Sequence, residues 1–246
     1  VIPTIVGRGD YIIGDELNHA SIVEGRRLSF ASYLKYKHND MESLEAVLKK
    51  IPYESTKLIV MDGVFSMEGD IAKLPEIVAL ADKYNASVYV DEAHSLGVFG
   101  QEGRGICNHF GLTDRVDLIM GTFSKSLATI GGFIATDAET INFLKHHSRS
   151  YIFSASISPA ATASVIAALD VIKQEPERIK NLWEITNYSL SAFRSLGFEI
   201  GNTQTPIIPL YIRDMDKTFA ITQELYEQGG CVNPVIPPAC SPDDTW

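Results

Sequence analysis

Two stretches of the chain carry residue types that do chemistry, at spacings that suit the ends of strands. In "SVYVDEAHSLGVFGQEGRG", Asp91 ends an apolar run, His94 follows three residues on, and glycines stand at 97, 100, 103 and 105. In "VDLIMGTFSKSLATIGGFIAT", Lys125 is the single cation, preceded by Thr122 and Ser124 and followed by Gly131-Gly132. The glycines lack the G-x-G-x-x-G order of a dinucleotide loop, and Ser124 stands where a phosphate-loop lysine needs a glycine before it. Taken singly, Asp91 reads equally well as a turn cap, His94 as a loop residue, and Lys125 as a lysine reaching for water.

Together they meet the needs of pyridoxal phosphate. The cofactor's aldehyde requires a lysine amine for a Schiff base, and a partly desolvated pocket keeps such an amine neutral part of the time. Its pyridine nitrogen requires a carboxylate, because the protonated ring is the strong electron sink. Its phosphate requires hydroxyls and backbone N–H groups, which Thr122 and Ser124 offer. Lys125 is then the covalent anchor, and the small residues beside it leave room.

The elements that must position these residues alternate between β-branched runs and helical patterns, predicting an α/β protein with a mostly parallel sheet. The expected strands are Tyr11–Ile13, Ser32–Lys37, Lys57–Met61, Ser87–Asp91, Val116–Met120, Phe133–Ala135 and Tyr151–Phe153. Several are continuous apolar runs, as in strands covered on both faces. "HNDMESLEAVLKKI" offers Asn39 or Asp40 as a helix cap, with Met41, Leu44, Val47 and Leu48 at helical spacing. "LPEIVALADKY" puts Pro75 in a first turn and Ile77, Val78, Leu80, Ala81 and Tyr84 on one face. Beyond Ser158 the pattern becomes two helices (159–173 and 176–196), "FEIG", "IIPLYIRD" and a helix near 217–228. This predicts the start of a smaller α+β domain, joined near "KQEPER". Residues 1–174 form the expected large domain and 175–246 the small one.

A net charge of −10 over 246 residues argues against general nucleic-acid or anionic-membrane binding. Cys107, Cys231 and Cys240 have no metal-ligand spacing, which favours a reducing cytoplasm and no metal. No apolar run reaches transmembrane length. The chain opens inside "VIPTIV" without a Met and stops at Trp246 after a loop-like segment. Those two ends suggest an internal piece of a longer protein.

The motifs "GDELNHASIVEGRRLSF", "HNDMESLE", "MDGVFSMEGDIAKLPEIVALADKY", "VDEAHSLGVFGQEGRG" and "DLIMGTFSKSLATIGGFIA" closely resemble the α-oxoamine synthases. These are fold-type-I pyridoxal phosphate enzymes that join an amino acid to an acyl-CoA with loss of carbon dioxide. Within the group, "FSMEGD", "AHSLGVFG", "LIMGTFSKSLA", "YIFSAS" and "NPVIPPA" most resemble the branch that uses L-serine and a long acyl-CoA such as palmitoyl-CoA, the first step of sphingolipid synthesis.

The resemblance implies a role for each matched residue. Lys125 anchors the cofactor and moves the Cα proton, Asp91 pairs with the pyridine nitrogen, and His94 reaches the ring hydroxyl. His19 stacks on the pyridine face and helps hold the substrate carboxylate. Ser66 bonds near the ring hydroxyl, Thr122 contacts the phosphate, and Ser154 reaches the phosphate of a partner subunit in a homodimer. It also implies a cytoplasmic enzyme working near the inner membrane face. Glycine C-acetyltransferase and 8-amino-7-oxononanoate synthase are the rival activities, and a non-catalytic remnant or partner subunit is the rival of another class. Two family features have no match: a Gly-containing N-terminal loop under the phosphate and a C-terminal arginine gripping the substrate carboxylate, for which Arg213 is no substitute. His38, His109, His146 and His147 read as solvated, and Arg26, Arg27, Lys35 and Lys37 as a charged face.

Overall fold

The computed structural model describes residues 1–237, 240 and 245. Pro238 and Ala239 of the "NPVIPPA" motif and the terminal Trp246 lie outside the described residues. Two compact units emerge, one of residues 1–65 and 71–179, the other of 66–70 and 180–246.

The first unit is built on a six-stranded sheet: β1 (Tyr11–Asp15), β2 (Ser32–Tyr36), β3 (Lys57–Asp62), β4 (Ser87–Asp91), β5 (Leu118–Thr122) and β6 (Gly132–Ala135). Its order is β2-β1-β3-β4-β5-β6, parallel throughout except for the antiparallel β5–β6 pair. All six residues of β3 are buried and so are four of five in β1 and in β4, which is why these segments read as unbroken apolar runs. Ile12, Leu58, Val60, Tyr89 and Leu118 pack on one face with Ile2 and Ile22. These last two come from α1 (Ile2–Ile5) and α2 (Ala20–Arg27). The alternate residues Ile13, Ile59, Met61, Val88 and Val90 are equally buried and point to the other face. Each such side chain contributes about 1.5–3 kcal/mol when fully withdrawn from water.

Local chemistry sets the flanking helices. Of the two candidate caps, Asp40 is the one used: it caps α3 (Met41–Leu48) by accepting from Ser43 N–H at 2.9 Å, and Leu44 and Leu48 are buried. α4 (Leu74–Tyr84) has Pro75 in its first turn and is capped by Asn85 in the left-handed conformation, burying Ile77, Val78 and Ala81. Glu45 on α3 joins the two helices, 2.6 Å from Lys83 Nζ and 2.8 Å from the Tyr84 hydroxyl. Further along come α5 (Ile106–His109), α6 (Ala138–His147), α7 (Arg149–Ile152) and α8 (Pro159–Gln174). α8 is capped by Ser158 with Pro159 in its first turn.

The expected strand at Tyr151–Phe153 is instead α7 and its C-cap, with all three side chains exposed. Its aromatic and branched residues favour a strand, but strand propensity is realised only against a partner, and the described sheet ends at β6. The fifth strand runs Leu118–Thr122, two residues later than expected, because Asp117 turns aside to accept from Val88 N–H at 2.7 Å.

In the second unit, α9 (Glu177–Ser195, largely within it) is followed by α10 (Met215–Glu227), capped by Asp214. Between them "FEIG" and "IIPLYIRD" run without a strand ladder among the described residues; the Glu199 carbonyl accepts from Tyr211 N–H, and the Glu199 carboxylate pairs with Arg213. The turn at Ser66–Asp70 belongs to this unit. The Gly69 carbonyl accepts from the buried Thr203 hydroxyl at 2.9 Å and from Gln204 N–H at 3.2 Å.

Candidate active site

Ligands of open parallel sheets gather outside the carboxyl ends of the strands, where neighbouring connections leave in opposite directions. Here β1 is followed by β2 on one side and β3 lies on the other, so that crevice opens at the ends of β1 and β3. His19 leaves β1 as the cap of α2. Asp91 ends β4, in register with Asp62 of β3 and Met120 of β5. Lys125 follows β5 by three residues.

Asp91 is 3% exposed, and its carboxylate accepts from Ala93 N–H at 2.9 Å. Burial raises its proton affinity, while the Ala93 N–H and the charges of His19 and Lys125 pull it back down. Those couplings mean that the lysine and the carboxylate share one neighbourhood. His94 is pushed down to about 4, chiefly by burial and then by the positive fields of Lys125 and His19, so it is neutral near pH 7. Asp91, His94, His19 and Lys125 are therefore brought together on three connections of one sheet.

Lys125 itself is exposed, not partly desolvated, and so are Ser124 and His19. The physical reason lies in its strand pair: β6 is an edge strand with three of its four residues exposed, so the β5–β6 connection is open to water. Thr122 is half-buried, with its hydroxyl 2.8 Å from that of Ser124 and within reach of the Ser124 N–H at 3.3 Å. Ser154 is exposed just beyond α7. Ser66 belongs to the second unit.

Gly97 holds the two catalytic-type connections against each other. It has a φ of +79°, and a Cβ there would lie 2.6 Å from the Ser126 Cβ, one residue past the lysine. The rest of the glycine-rich segment wraps around Glu92. This buried carboxylate accepts from Ile106 N–H (2.7 Å) and Cys107 N–H (2.8 Å) and pairs with the Ser95 hydroxyl.

Several residues escaped the sequence reading. Asn18 and Asp62 tie the His19 connection to β3, and Asp15 organises the end of β2. Asp62 follows the run "KLIVM" as Asp91 follows "SVYV", so the strand-end rule applied a second time would have found it. His38, expected to be solvated, has its Nδ1 2.9 Å from Asp15 Oδ1 and its ring edge-on to Phe65 at 4.4 Å. Asp15 is 1% exposed, and a buried carboxylate demands partners. Arg26 likewise lies over the Tyr33 ring at 3.9 Å, while Arg213 pairs with Glu199. His109 packs edge-on against Phe99 and Phe110, and His146 and His147 bond to carbonyls of their own helix.

A groove of about 630 Å³ lies at the opposite end of the strands, by Val88 and Asp117 at the starts of β4 and β5. Three of its four carboxylates are structural: Asp82 pairs with Arg115, Asp117 holds Val88 N–H, and Asp137 caps α6. Among the described residues no cluster of metal-ligating side chains forms, and no helix is long and apolar enough to cross a membrane.

Comparison with known proteins places this geometry. The chain is 64% identical over 245 residues to a serine palmitoyltransferase of Bacteroides ovatus, matching 100% of this chain and 62% of the relative. It is 46% identical over 242 residues to an 8-amino-7-oxononanoate synthase of Thermoanaerobacter pseudethanolicus, matching 96% of this chain and 61% of the relative. A solved serine palmitoyltransferase from S. paucimobilis, with PLP and myriocin bound, superposes with a TM-score of 0.92 at 36% identity over 97% of this chain and 61% of its own. The chain thus spans about 62% of the length of the curated relatives it matches. Its sheet and flanking helices are those of the type I fold of pyridoxal phosphate-dependent transferases. The family model for aminotransferase class I and II matches residues 1–245, and the chain belongs to that family.

Proposed function

We propose that the full-length protein condenses L-serine with a long-chain acyl-CoA, palmitoyl-CoA by resemblance, with loss of carbon dioxide to give 3-ketodihydrosphingosine. Pyridoxal phosphate is the cofactor. The observation that carries the reading is a buried carboxylate, Asp91, within the electrostatic reach of Lys125 and His19, with a neutral His94 two connecting residues away. A carboxylate whose burial raises its proton affinity is the partner that a pyridinium N–H needs. A neutral imidazole is the partner for a ring hydroxyl, and the paired hydroxyls of Thr122 and Ser124 suit a phosphate. The donor set therefore fits the cofactor.

When bound, pyridoxal phosphate supplies the electron sink for charge that develops at the Cα of the amino acid. Lys125 supplies the amine that holds the cofactor aldehyde and then carries the Cα proton. Asp91 keeps the ring nitrogen protonated, His94 holds the ring hydroxyl, and His19 covers the ring face and donates to the substrate carboxylate. Ser66 bonds near the ring hydroxyl and Ser154 reaches the phosphate across a homodimer. On this reading residues 1–174 act as the cofactor-binding domain and 175–246 as part of a smaller one. The three cysteines, which form no disulfide among the described residues, suit a cytoplasmic setting.

The 46% likeness to an 8-amino-7-oxononanoate synthase keeps a second activity in view, one that differs in amino acid and acyl chain. Turnover of the full-length protein with serine, glycine or alanine against several acyl-CoAs separates the two. Serine with palmitoyl-CoA is the expected best pair. Borohydride trapping should label Lys125 and no label should form in Lys125→Ala. A label retained by that variant overturns the assignment.

A further inference from the structure

The His19 connection is held by a closed set of buried polar contacts. Gly14 of β1 has no side chain, and a Cβ there would lie 3.1 Å from the Asn18 side-chain nitrogen. Asn18, 8% exposed, fits against it: its Nδ2 donates to the Val60 carbonyl at 2.8 Å, and its Oδ1 accepts from Asp62 N–H at 3.3 Å. Asp62, 5% exposed, accepts from the backbone N–H of His19 at 2.7 Å. The ring is fixed separately, because its Nδ1 accepts from Ser21 N–H at 3.2 Å and lies 2.8 Å from the Ser21 hydroxyl. An Nδ1 that accepts leaves the proton of the neutral ring on Nε2.

The same β3 end also locates Asp91. Asp62 and Asp91 are register partners, and Gly63 N–H donates to the Asp91 carbonyl at 2.8 Å. A loop-borne imidazole and a strand-borne carboxylate are thus referred to one rigid frame.

We infer that Asp62, seated with Asn18, is a positioning residue: it fixes the backbone of His19 so that the imidazole, whose Nε2–H tautomer Ser21 sets, meets the ligand at Asp91. This deepens the cofactor reading above and rests on it for the ligand. Withdrawing a carboxyl group from water is costly unless it is strongly hydrogen-bonded, so the contact is a firm one.

The test uses the full-length protein loaded with pyridoxal phosphate and the variants Asp62→Ala, Asp62→Asn, His19→Ala and Asp62→Ala/His19→Ala. Titration with L-serine, followed by the absorbance of the bound cofactor, should show Asp62→Ala weakened about 10-fold or more, the worth of one charge-assisted bond. Asp62→Asn, which keeps an acceptor oxygen, should recover part of that. In the His19→Ala background the further change at 62 should have no effect, since Asp62 acts through that ring. Serine affinity in Asp62→Ala equal to wild type, or losses that multiply in the double variant, overturns the inference.

A second arm needs no cofactor. Backbone amide hydrogen exchange of the cofactor-free protein should show the His19 N–H protected in the wild type and unprotected in Asp62→Ala. Equal protection in the two overturns the positioning role. If the wild type shows no serine-dependent absorbance change, the cofactor reading fails while this arm still decides the inference.

Discussion

Replacing Gly97 by alanine should damage catalysis as well as stability, and the structure gives both magnitudes. The residue has a φ of +79°, where an L side chain costs about 1–2 kcal/mol. Its new Cβ would also lie 2.6 Å from the Ser126 Cβ, roughly 1 Å inside the usual 3.5–4.0 Å carbon contact. Ile172 Cδ1 of α8 sits 3.8 Å away on another side, so relief must come from the two site connections. Ser126 is bonded directly to Lys125, so a shift of about 1 Å reaches the amine, and misplacement on that scale costs about 100-fold in rate. Gly111→Ala is the matched control: its φ is +68°, with nothing within 4 Å of the added Cβ. By urea unfolding of the full-length protein, Gly111→Ala should lose about 1–2 kcal/mol and Gly97→Ala about 1–3 kcal/mol more, for the clash. Only Gly97→Ala should lose turnover, together with rate of borohydride labelling at Lys125. Wild-type turnover in Gly97→Ala, or an equal loss in Gly111→Ala, would refute the packing argument.

Two further outcomes follow from groups outside that contact. Lys57 is 2% exposed, and its Nζ donates to the carbonyls of Pro52, Tyr53 and Ser55 at 3.1, 2.8 and 2.7 Å. Lys57→Met should cost about 2 kcal/mol in denaturant unfolding, with cofactor binding unchanged, because water re-pairs carbonyls on an exposed turn. His94 titrates at about 4 when folded, below its ordinary 6.5, so the folded state binds fewer protons there. Its share of stability is present above about pH 6.5 and is lost as pH falls towards 4. Allowing for solvent screening, that share is about 1–2 kcal/mol. Urea midpoints of cofactor-free protein between pH 7 and 4 should therefore fall less steeply in His94→Gln, and identical slopes would refute this.

Much of the first unit was legible because its strands are buried on both faces, so burial alone dictates their composition. Lys57–Met61 and Ser87–Asp91 are found within a residue at each end. The strand-end rule then located Asp91, and the motif around it located Lys125. What composition could not convey was partnership. Tyr151–Phe153 has the residues of a strand and forms a short helix and its cap instead, and "IIPLYIRD" builds no strand ladder among the described residues. His38 looked solvated because its partner, Asp15, is 23 positions away and reaches it only when parallel strands align. Asn18 and Asp62 were hidden for the same reason, being separated by 44 positions and joined by the β1–β3 ladder.

The pairing of Asp62 with Asp91 has a practical corollary for anyone redesigning this scaffold. The spacing between the two acidic groups is written into a hydrogen-bonded lattice and owes nothing to the lengths of the connecting segments. Insertions on the helices outside should be silent, whereas deleting one residue within Leu58–Met61 would turn the aspartate inside out and send His19 adrift.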